Sequence, residues 1–194
     1  ADLQRGLWQQ SDQFCLFTHP VRDIHGSTLG IIGHGTLGQA VAEMAQAFGM
    51  KVLVSEHKGA ATPCVGHTPF DSVLREADVI SLHTPLTPQT WHMIGAREFG
   101  LMKPTAILIN TARGALVDTE ALVEALRGHL FGAGLDVTDP EPLPQDHPLY
   151  RLPNAVITPH IGSAGRTTRE RMAEVAVENL LAVLEGREPP NPVV

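Results

Sequence analysis

The apolar run Thr28–Ile32 leads directly into Gly33-His34-Gly35-Thr36-Leu37-Gly38 and then into a stretch with helical periodicity. Nothing else in the chain constrains the fold as much. A G-x-G-x-x-G carries little information alone, but between a strand and a helix it marks the first turn of a dinucleotide-binding unit. Gly33 permits the tight turn, Gly35 lets the backbone approach a pyrophosphate, and Gly38 lets the helix pack closely on the strand. The helix start, with Thr36 and Leu37, then offers free N–H groups and the positive end of its dipole to an anion. Leu37, Ala40, Val41, Met44, Ala45 and Phe48 recur at helical spacing, which predicts a helix over Thr36–Phe48 stopped by Gly49.

The same fingerprint calls for an acidic residue at the end of the second strand. Glu56 stands just after the next strand candidate, Lys51–Ser55. Its carboxylate would accept hydrogen bonds from an adenosine ribose and repel the 2′-phosphate of NADP, a repulsion that His57 and Lys58 could soften. The expected cofactor is therefore NAD, with NADP the second choice. A plainer alternative has turn glycines in an ordinary βα unit and Glu56 as a solvated surface charge. It accounts for fewer of these features together.

Further strand candidates are Asp78–Leu82, Ala106–Asn110, Phe131–Val137 and Ala155–Thr158. Thr119–Leu126 reads as a helix ending near Gly128 and capped by Asp118. Arg169–Leu184 reads as an amphipathic helix with Met172, Val175, Ala176, Leu180 and Leu184 on one stripe. Strands alternating with helices predict an α/β fold, a Rossmann-type doubly wound parallel sheet with helices on both faces. Residues 1–27, with Trp8 and Phe14 among polar residues, fit this pattern poorly and are expected to form a lead-in helix and loop. The chain thus divides into a lead-in at 1–27, a nucleotide-binding domain at 28–165 and a closing helix and tail at 166–194.

Composition narrows the classes. With 43% hydrophobic and 18% charged residues, 194 residues suffice for one domain with a sizeable core. A formal net charge of −7 and the lack of a basic run argue against a nucleic-acid partner. Cys15 and Cys64 form no C-x-x-C, so two reduced thiols are expected, with no disulfide framework and no metal site. No apolar run reaches the ~20 residues of a membrane span, and the N-terminus has no signal-peptide pattern. The expectation is a cytoplasmic protein with no membrane partner.

Three polar residues follow three strand candidates: Arg113 after Ala106–Asn110, Glu141 after Phe131–Val137, and His160 after Ala155–Thr158. In an open α/β sheet the carboxyl edge of the strands is where ligands bind. Reducing a carbonyl by hydride transfer requires a proton for its oxygen, and histidine supplies one well near neutrality. A carboxylate beside it would stabilise the imidazolium. A guanidinium can hold a substrate carboxylate through two hydrogen bonds. Each residue alone reads equally as a surface charge or a cap. Their common placement favours a site. Asp136 could accept from a nicotinamide carboxamide or cap a turn, and His83, His92, His129 and His147 are expected to be structural or surface residues.

These motifs together resemble the D-isomer-specific 2-hydroxyacid dehydrogenases. The resemblance rests on Leu29–Gly38, Leu82-His-Thr-Pro-Leu-Thr87, Met102-Lys-Pro, Leu108-Ile-Asn-Thr-Ala-Arg-Gly114 read through to Asp118, Gly132-Ala-Gly-Leu-Asp-Val137, Asp139-Pro-Glu-Pro-Leu143 and Thr158-Pro-His-Ile-Gly-Ser163, and runs from about Gly26 to Val193. It implies that Arg113 binds the carboxylate and carbonyl of a 2-keto acid, that His160 exchanges the proton and that Glu141 orients His160. It further implies that Thr36 and Leu37 meet the pyrophosphate and Glu56 the ribose. Thr84 and Pro85 would flank the adenosine, while Thr111, Ala112, Asp136 and Gly162 belong to the nicotinamide end. Pro-His-Ile-Gly-Ser-Ala is most similar to glycerate dehydrogenase and hydroxypyruvate reductase members, which implies hydroxypyruvate or glyoxylate as substrate. A homodimer is implied too, with its contact expected around Trp8 and Phe14. Glu56 stands where Asp is commoner, and His34 is an unusual occupant of the glycine loop. Most of the family's flavodoxin-like substrate domain lies outside this sequence, so the closing helix is expected to expose apolar surface. The alternative to an active enzyme is a fragment that binds NAD(H) and dimerises without turnover. The L-specific lactate and malate dehydrogenases share the glycine loop but not the Arg113 and His160 motifs.

Overall fold

A computed structural model describes residues 2–19 and 21–192. Ala1, Pro20, Val193 and Val194, at the edges of the expected lead-in and tail, lie outside the described residues. Six strands form one sheet: β1 (Thr28–Ile32), β2 (Lys51–Val54), β3 (Val79–Leu82), β4 (Ile107–Asn110), β5 (Gly132–Leu135) and β6 (Ala155–Ile157). Their order is β2-β1-β3-β4-β5-β6 and every pairing is parallel. Parallel strands buried on both faces read as short continuous apolar runs, and for that reason all six stand within a residue or two of where the sequence puts them.

Helix α1 (Thr36–Ala47) connects β1 to β2, α2 (Phe70–Glu76) leads into β3, α3 (Ala96–Leu101) leads into β4, and α4 (Thr119–Gly128) connects β4 to β5. Gly49 takes φ +77° after α1, the left-handed C-terminal stop expected of it. Asp118 caps α4, its Oδ1 accepting from the Ala121 amide at 3.0 Å. The main core packs α2, α3 and α4 on the sheet through Leu74, Phe99, Leu122 and Leu126 against Ile80, Leu82 and Leu108. A smaller cluster of Leu29, Ile31, Ala42 and Ala45 seats α1 on β1. This is the doubly wound Rossmann arrangement.

Three local expectations differ. Residues 2–10 form consecutive turns, not the expected lead-in helix. Trp8 bonds its indole N–H to the Phe14 carbonyl at 3.0 Å, while Phe14 itself is 92% exposed. The closing helix α5 runs over Arg166–Leu184, one turn earlier than predicted. Ala182 is its buried residue and Asn179 bonds Asn191 of the tail, whereas Met172, Ala176, Leu180 and Leu184 of the expected stripe are exposed.

Candidate active site

The sheet order arrays the predicted residues along one edge. Passing across the carboxyl ends of the strands, one meets Glu56 beyond β2, the glycine loop beyond β1, Thr84 and Pro85 beyond β3, Thr111–Arg113 beyond β4, Asp136 and Glu141 beyond β5, and His160 and Gly162 beyond β6. β1 is the point where successive connections leave in opposite directions, which opens a crevice there for a ligand.

The glycine loop has the geometry its spacing implies. Gly33 has φ +97°, and a Cβ on it would lie 2.6 Å from the backbone of His83 and Thr84. A Cβ on Gly38 would lie 2.1 Å from the Gly33 carbonyl oxygen, so helix and loop meet there in backbone contact. The Cβ position of Gly35 faces open space. No side chain caps α1 and no acidic residue stands in its first turn, which leaves its N–H groups to an anion. These features fit a dinucleotide pyrophosphate. Thr36 and Leu37 open the helix, with Leu37 exposed beside Thr84, Pro85, Thr111, Ala112 and Arg113 in one shallow cavity.

Glu56 is 7% exposed at the floor of the neighbouring cavity, which Gly33, His34, His57, Lys58, His67 and Thr84 also line. Its Oε2 accepts from the Cys64 amide at 2.7 Å and its Oε1 from the His57 amide at 2.8 Å. These two N–H groups, Cys64 first, hold the carboxyl down at about 2, so it is ionised at neutral pH. It is therefore not a solvated surface charge. Lys58 does not soften it: its Nζ is tied to Glu98 Oε1 and the Met93 carbonyl, both at 2.8 Å. His34, the unusual loop residue, turns its ring edge-on to His67 with centroids 6.1 Å apart.

At the opposite end, His160 Nδ1 and Glu141 Oε1 are 2.5 Å apart. They line a cavity with Asp136, Thr138, Leu143, Tyr150 and Thr158. His160 has φ +52°, a left-handed conformation uncommon outside glycine. Asp136 sustains it. This buried carboxylate accepts from the Thr158 hydroxyl at 2.5 Å, the Ile161 amide at 2.9 Å and the Gly162 amide at 2.8 Å. The Thr158 hydroxyl, then the two amides, pull its pKa below the usual carboxylate value against the cost of burial. Gly162 packs closely there: a Cβ would lie 3.0 Å from Asp136 Oδ2. Of the two roles open to Asp136, the structure displays the turn cap, and the turn it caps carries His160.

Arg113 is exposed, and its Nη1 donates to the Ala112 carbonyl at 2.6 Å. It lines the cavity beside the glycine loop, not the one holding His160 and Glu141. The structure thus joins His160 to Glu141 directly and sets Arg113 on the next strand end but one. Sequence reasoning does not single out Asn110, which is 1% exposed and staples the arginine loop: its Nδ2 donates to the Arg113 carbonyl at 2.8 Å and its Oδ1 accepts from Ala112 N at 3.1 Å. A polar residue ending an apolar strand is the signal that could have found it. The four histidines expected to be structural or surface residues all have local partners. Burial lowers the His83 pKa and Ser81 bonds its Nε2, His129 reaches the Phe99 carbonyl, His147 caps a 3-10 turn, and His92 stacks on Trp91. Both cysteines are free and exposed, and no cluster able to hold a metal occurs among the described residues.

Residues 1–162 match the family described as D-isomer specific 2-hydroxyacid dehydrogenase, NAD binding domain. A glyoxylate reductase of Thermococcus litoralis is 46% identical over 200 residues, covering 98% of this chain and 59% of that protein. A glycerate dehydrogenase of Methylorubrum extorquens is 46% identical over 189 residues, covering 95% and 59%. Among solved structures, a D-lactate dehydrogenase with NAD+ from Lactobacillus jensenii aligns with TM-score 0.83 at 36% identity, covering 100% of this chain and 63% of that one. A protein from Thermus thermophilus aligns with TM-score 0.82 at 63% identity, covering 99% and 62%. The chain therefore spans about three fifths of the length of these proteins.

Proposed function

The chain belongs to the D-isomer-specific 2-hydroxyacid dehydrogenases, whose NAD-binding domain it forms, and we propose on that footing that the protein interconverts a short 2-keto acid and its D-2-hydroxy acid. Hydroxypyruvate or glyoxylate is the substrate. The glycerate dehydrogenase and glyoxylate reductase names of its relatives support this, as does the Pro159–Ala164 sequence. The observation that carries the proposal is the 2.5 Å contact between His160 and Glu141 at the catalytic end of the dinucleotide crevice.

Bound NADH supplies the hydride in reduction. The chain's residues do the rest. Glu141 accepts from His160 Nδ1, which fixes the tautomer and ring orientation and leaves Nε2 to carry the proton to the substrate oxygen. In oxidation the same atom takes the proton from the hydroxyl. Arg113, with its guanidinium exposed beside Thr111 and Ala112, would pair with the substrate carboxylate and so orient the carbonyl for hydride transfer. Asp136 keeps the His160 turn in place.

The protein works as a cytoplasmic homodimer with no membrane or nucleic-acid partner. The exposed Phe14 and half-exposed Trp8 support placing the contact between copies in this segment. No described helix is long and apolar enough to cross a membrane. The test follows NADH absorbance after adding hydroxypyruvate, then glyoxylate, to the folded chain. NADH loss that disappears in His160→Gln supports the enzyme. NADH binding without turnover, even with the rest of the protein restored, would leave a nucleotide-binding module and overturn the catalytic assignment.

A further inference from the structure

Beyond β2 the chain becomes a thin wall. Glu56, His57 and Lys58 line the cavity expected to receive the adenosine, and the same three residues line a second cavity with Phe70, Asp71, Arg97 and Glu98. A segment bordered by two cavities is weakly held by packing, so its hydrogen bonds decide where it stands. At the Glu56 end those bonds are local. The Glu56 amide donates to the Thr68 carbonyl at 2.8 Å, and the Ser55 hydroxyl donates to the Glu56 carbonyl at 2.8 Å. At the Lys58 end the tie crosses to other elements. Lys58 Nζ donates to Glu98 Oε1 and to the Met93 carbonyl, both at 2.8 Å. Met93 itself lines the adenosine cavity, together with Gln89 and Thr90.

Glu98 is the fixed end of that tie. It sits in the first turn of α3 and is 3% exposed. Its Oε2 accepts from the Gly95 amide and its Oε1 from Arg97 Nη1, both at 3.1 Å. Burial opposes its charge, but Lys58, the Gly95 amide and Arg97 overcome that and hold its pKa below the ordinary carboxylate value. We propose that Glu98, which does not line the adenosine cavity, is a positioning residue for the nucleotide: it anchors Lys58, and through Lys58 it sets the spacing between Glu56–Lys58 and Gln89–Met93. This rests on the dinucleotide-binding assignment and deepens it, because it gives a residue outside the cavity a share in nucleotide affinity. Arg97 supplies an internal control. It reaches the same carboxylate, but its other partner is Asp71 of α2, not a residue of the adenosine cavity.

The experiment titrates the folded 194-residue chain with adenosine and adenosine 5′-monophosphate by calorimetry, and with NADH and reduced nicotinamide mononucleotide by fluorescence. The same titrations are run on Lys58→Met, Glu98→Met, the two combined, and Arg97→Met. Lys58→Met and Glu98→Met should each weaken NADH, adenosine and the monophosphate by about tenfold, near 1.4 kcal/mol. The combined variant should lose no more than about twofold beyond either, since both act through one contact. The mononucleotide should change by less than about twofold in every variant, and NADH by no more than that in Arg97→Met. A loss confined to the phosphate-bearing ligands would mean that Lys58 meets the phosphate directly, and would overturn the proposal. So would unchanged NADH affinity in folded Glu98→Met, or an equal loss in Arg97→Met, which would reduce the network to a support for α3. If Glu98→Met does not fold, Lys58→Met decides, and adenosine must weaken there alongside the monophosphate. Failure of the unsubstituted folded chain to bind NADH would overturn the dinucleotide assignment, and this proposal with it.

Discussion

Asp136 organises the turn that carries His160 without bonding to His160 itself. Its carboxylate gathers a hydroxyl and two amides from the turn at 158–162, and that turn holds His160 at φ +52°. Asp136→Asn keeps the shape but replaces an acceptor oxygen by an amino group facing N–H donors. It should destabilise the fold by about 1–3 kcal/mol, read from urea unfolding. In active enzyme it should also lower kcat more than it raises KM, because the misplaced group is the proposed proton carrier. Glu56 and Asp136 both have folded-state pKa values below the ordinary carboxylate range, so each stabilises the fold fully above its unfolded value and loses that contribution as pH falls through the folded one. For Glu56 that window runs from 4.5 down to about 2. The melting-temperature gap between the native chain and Glu56→Gln should be flat above about pH 5 and close across that window. A gap that widens on acidification would contradict the ionised, doubly bonded carboxylate. The candidate trio of Arg113, Glu141 and His160 is legible in the sequence because each member follows an apolar run. The partners that orient it are not, since Asp136 meets Thr158 and Gly162 across 22 and 26 positions of chain, and only the folded sheet brings them together.

At the scale of elements, the turn from β1 into α1 does most to shape the nucleotide site. Gly38 lies in the first turn of α1, where alanine is a better helix former than glycine. Gly38→Ala should nonetheless destabilise the protein and abolish NADH binding, because the new methyl would stand 2.1 Å from the Gly33 oxygen. A calorimetric Tm and a fluorescence titration on the same sample check both halves, and an undisturbed NADH affinity would refute the close-packing account. The strands and the longer helices are readable from sequence, since a buried parallel strand is a compact apolar word and α4 carries both its cap and its stop. α2 and α3 are not, being 7 and 6 residues long. So short a stretch shows at most two turns of periodicity, and Asp71, Arg75, Arg97 and Glu98 interrupt even those. The lead-in fails for another reason: Trp8 and Phe14 are linked through a backbone carbonyl, and no helical face of the domain calls for them.

For the molecule as a whole, the sheet spaces out the two ends of the candidate site. Glu56 lies beyond β2, His160 beyond β6, and the arginine loop between them on β4. Helix α5 stands apart from this core, with Ala182 its buried residue and Met172, Val177, Leu180 and Leu184 exposed. Deleting residues 166–194 should therefore lower the melting temperature by no more than about 3 °C and leave NADH binding intact. A loss of folding on deletion would mean that α5 belongs to the domain core. The Glu56 loop has one more consequence, a practical one. Cys64 presents its amide to Glu56, and the same carboxylate pushes its thiol pKa up, so this exposed cysteine is poor in thiolate. A maleimide dye added in limiting amount at neutral pH should spare it. Neutralising the neighbouring acid should quicken its alkylation, which turns an ordinary surface thiol into a clock for the state of the adenosine pocket.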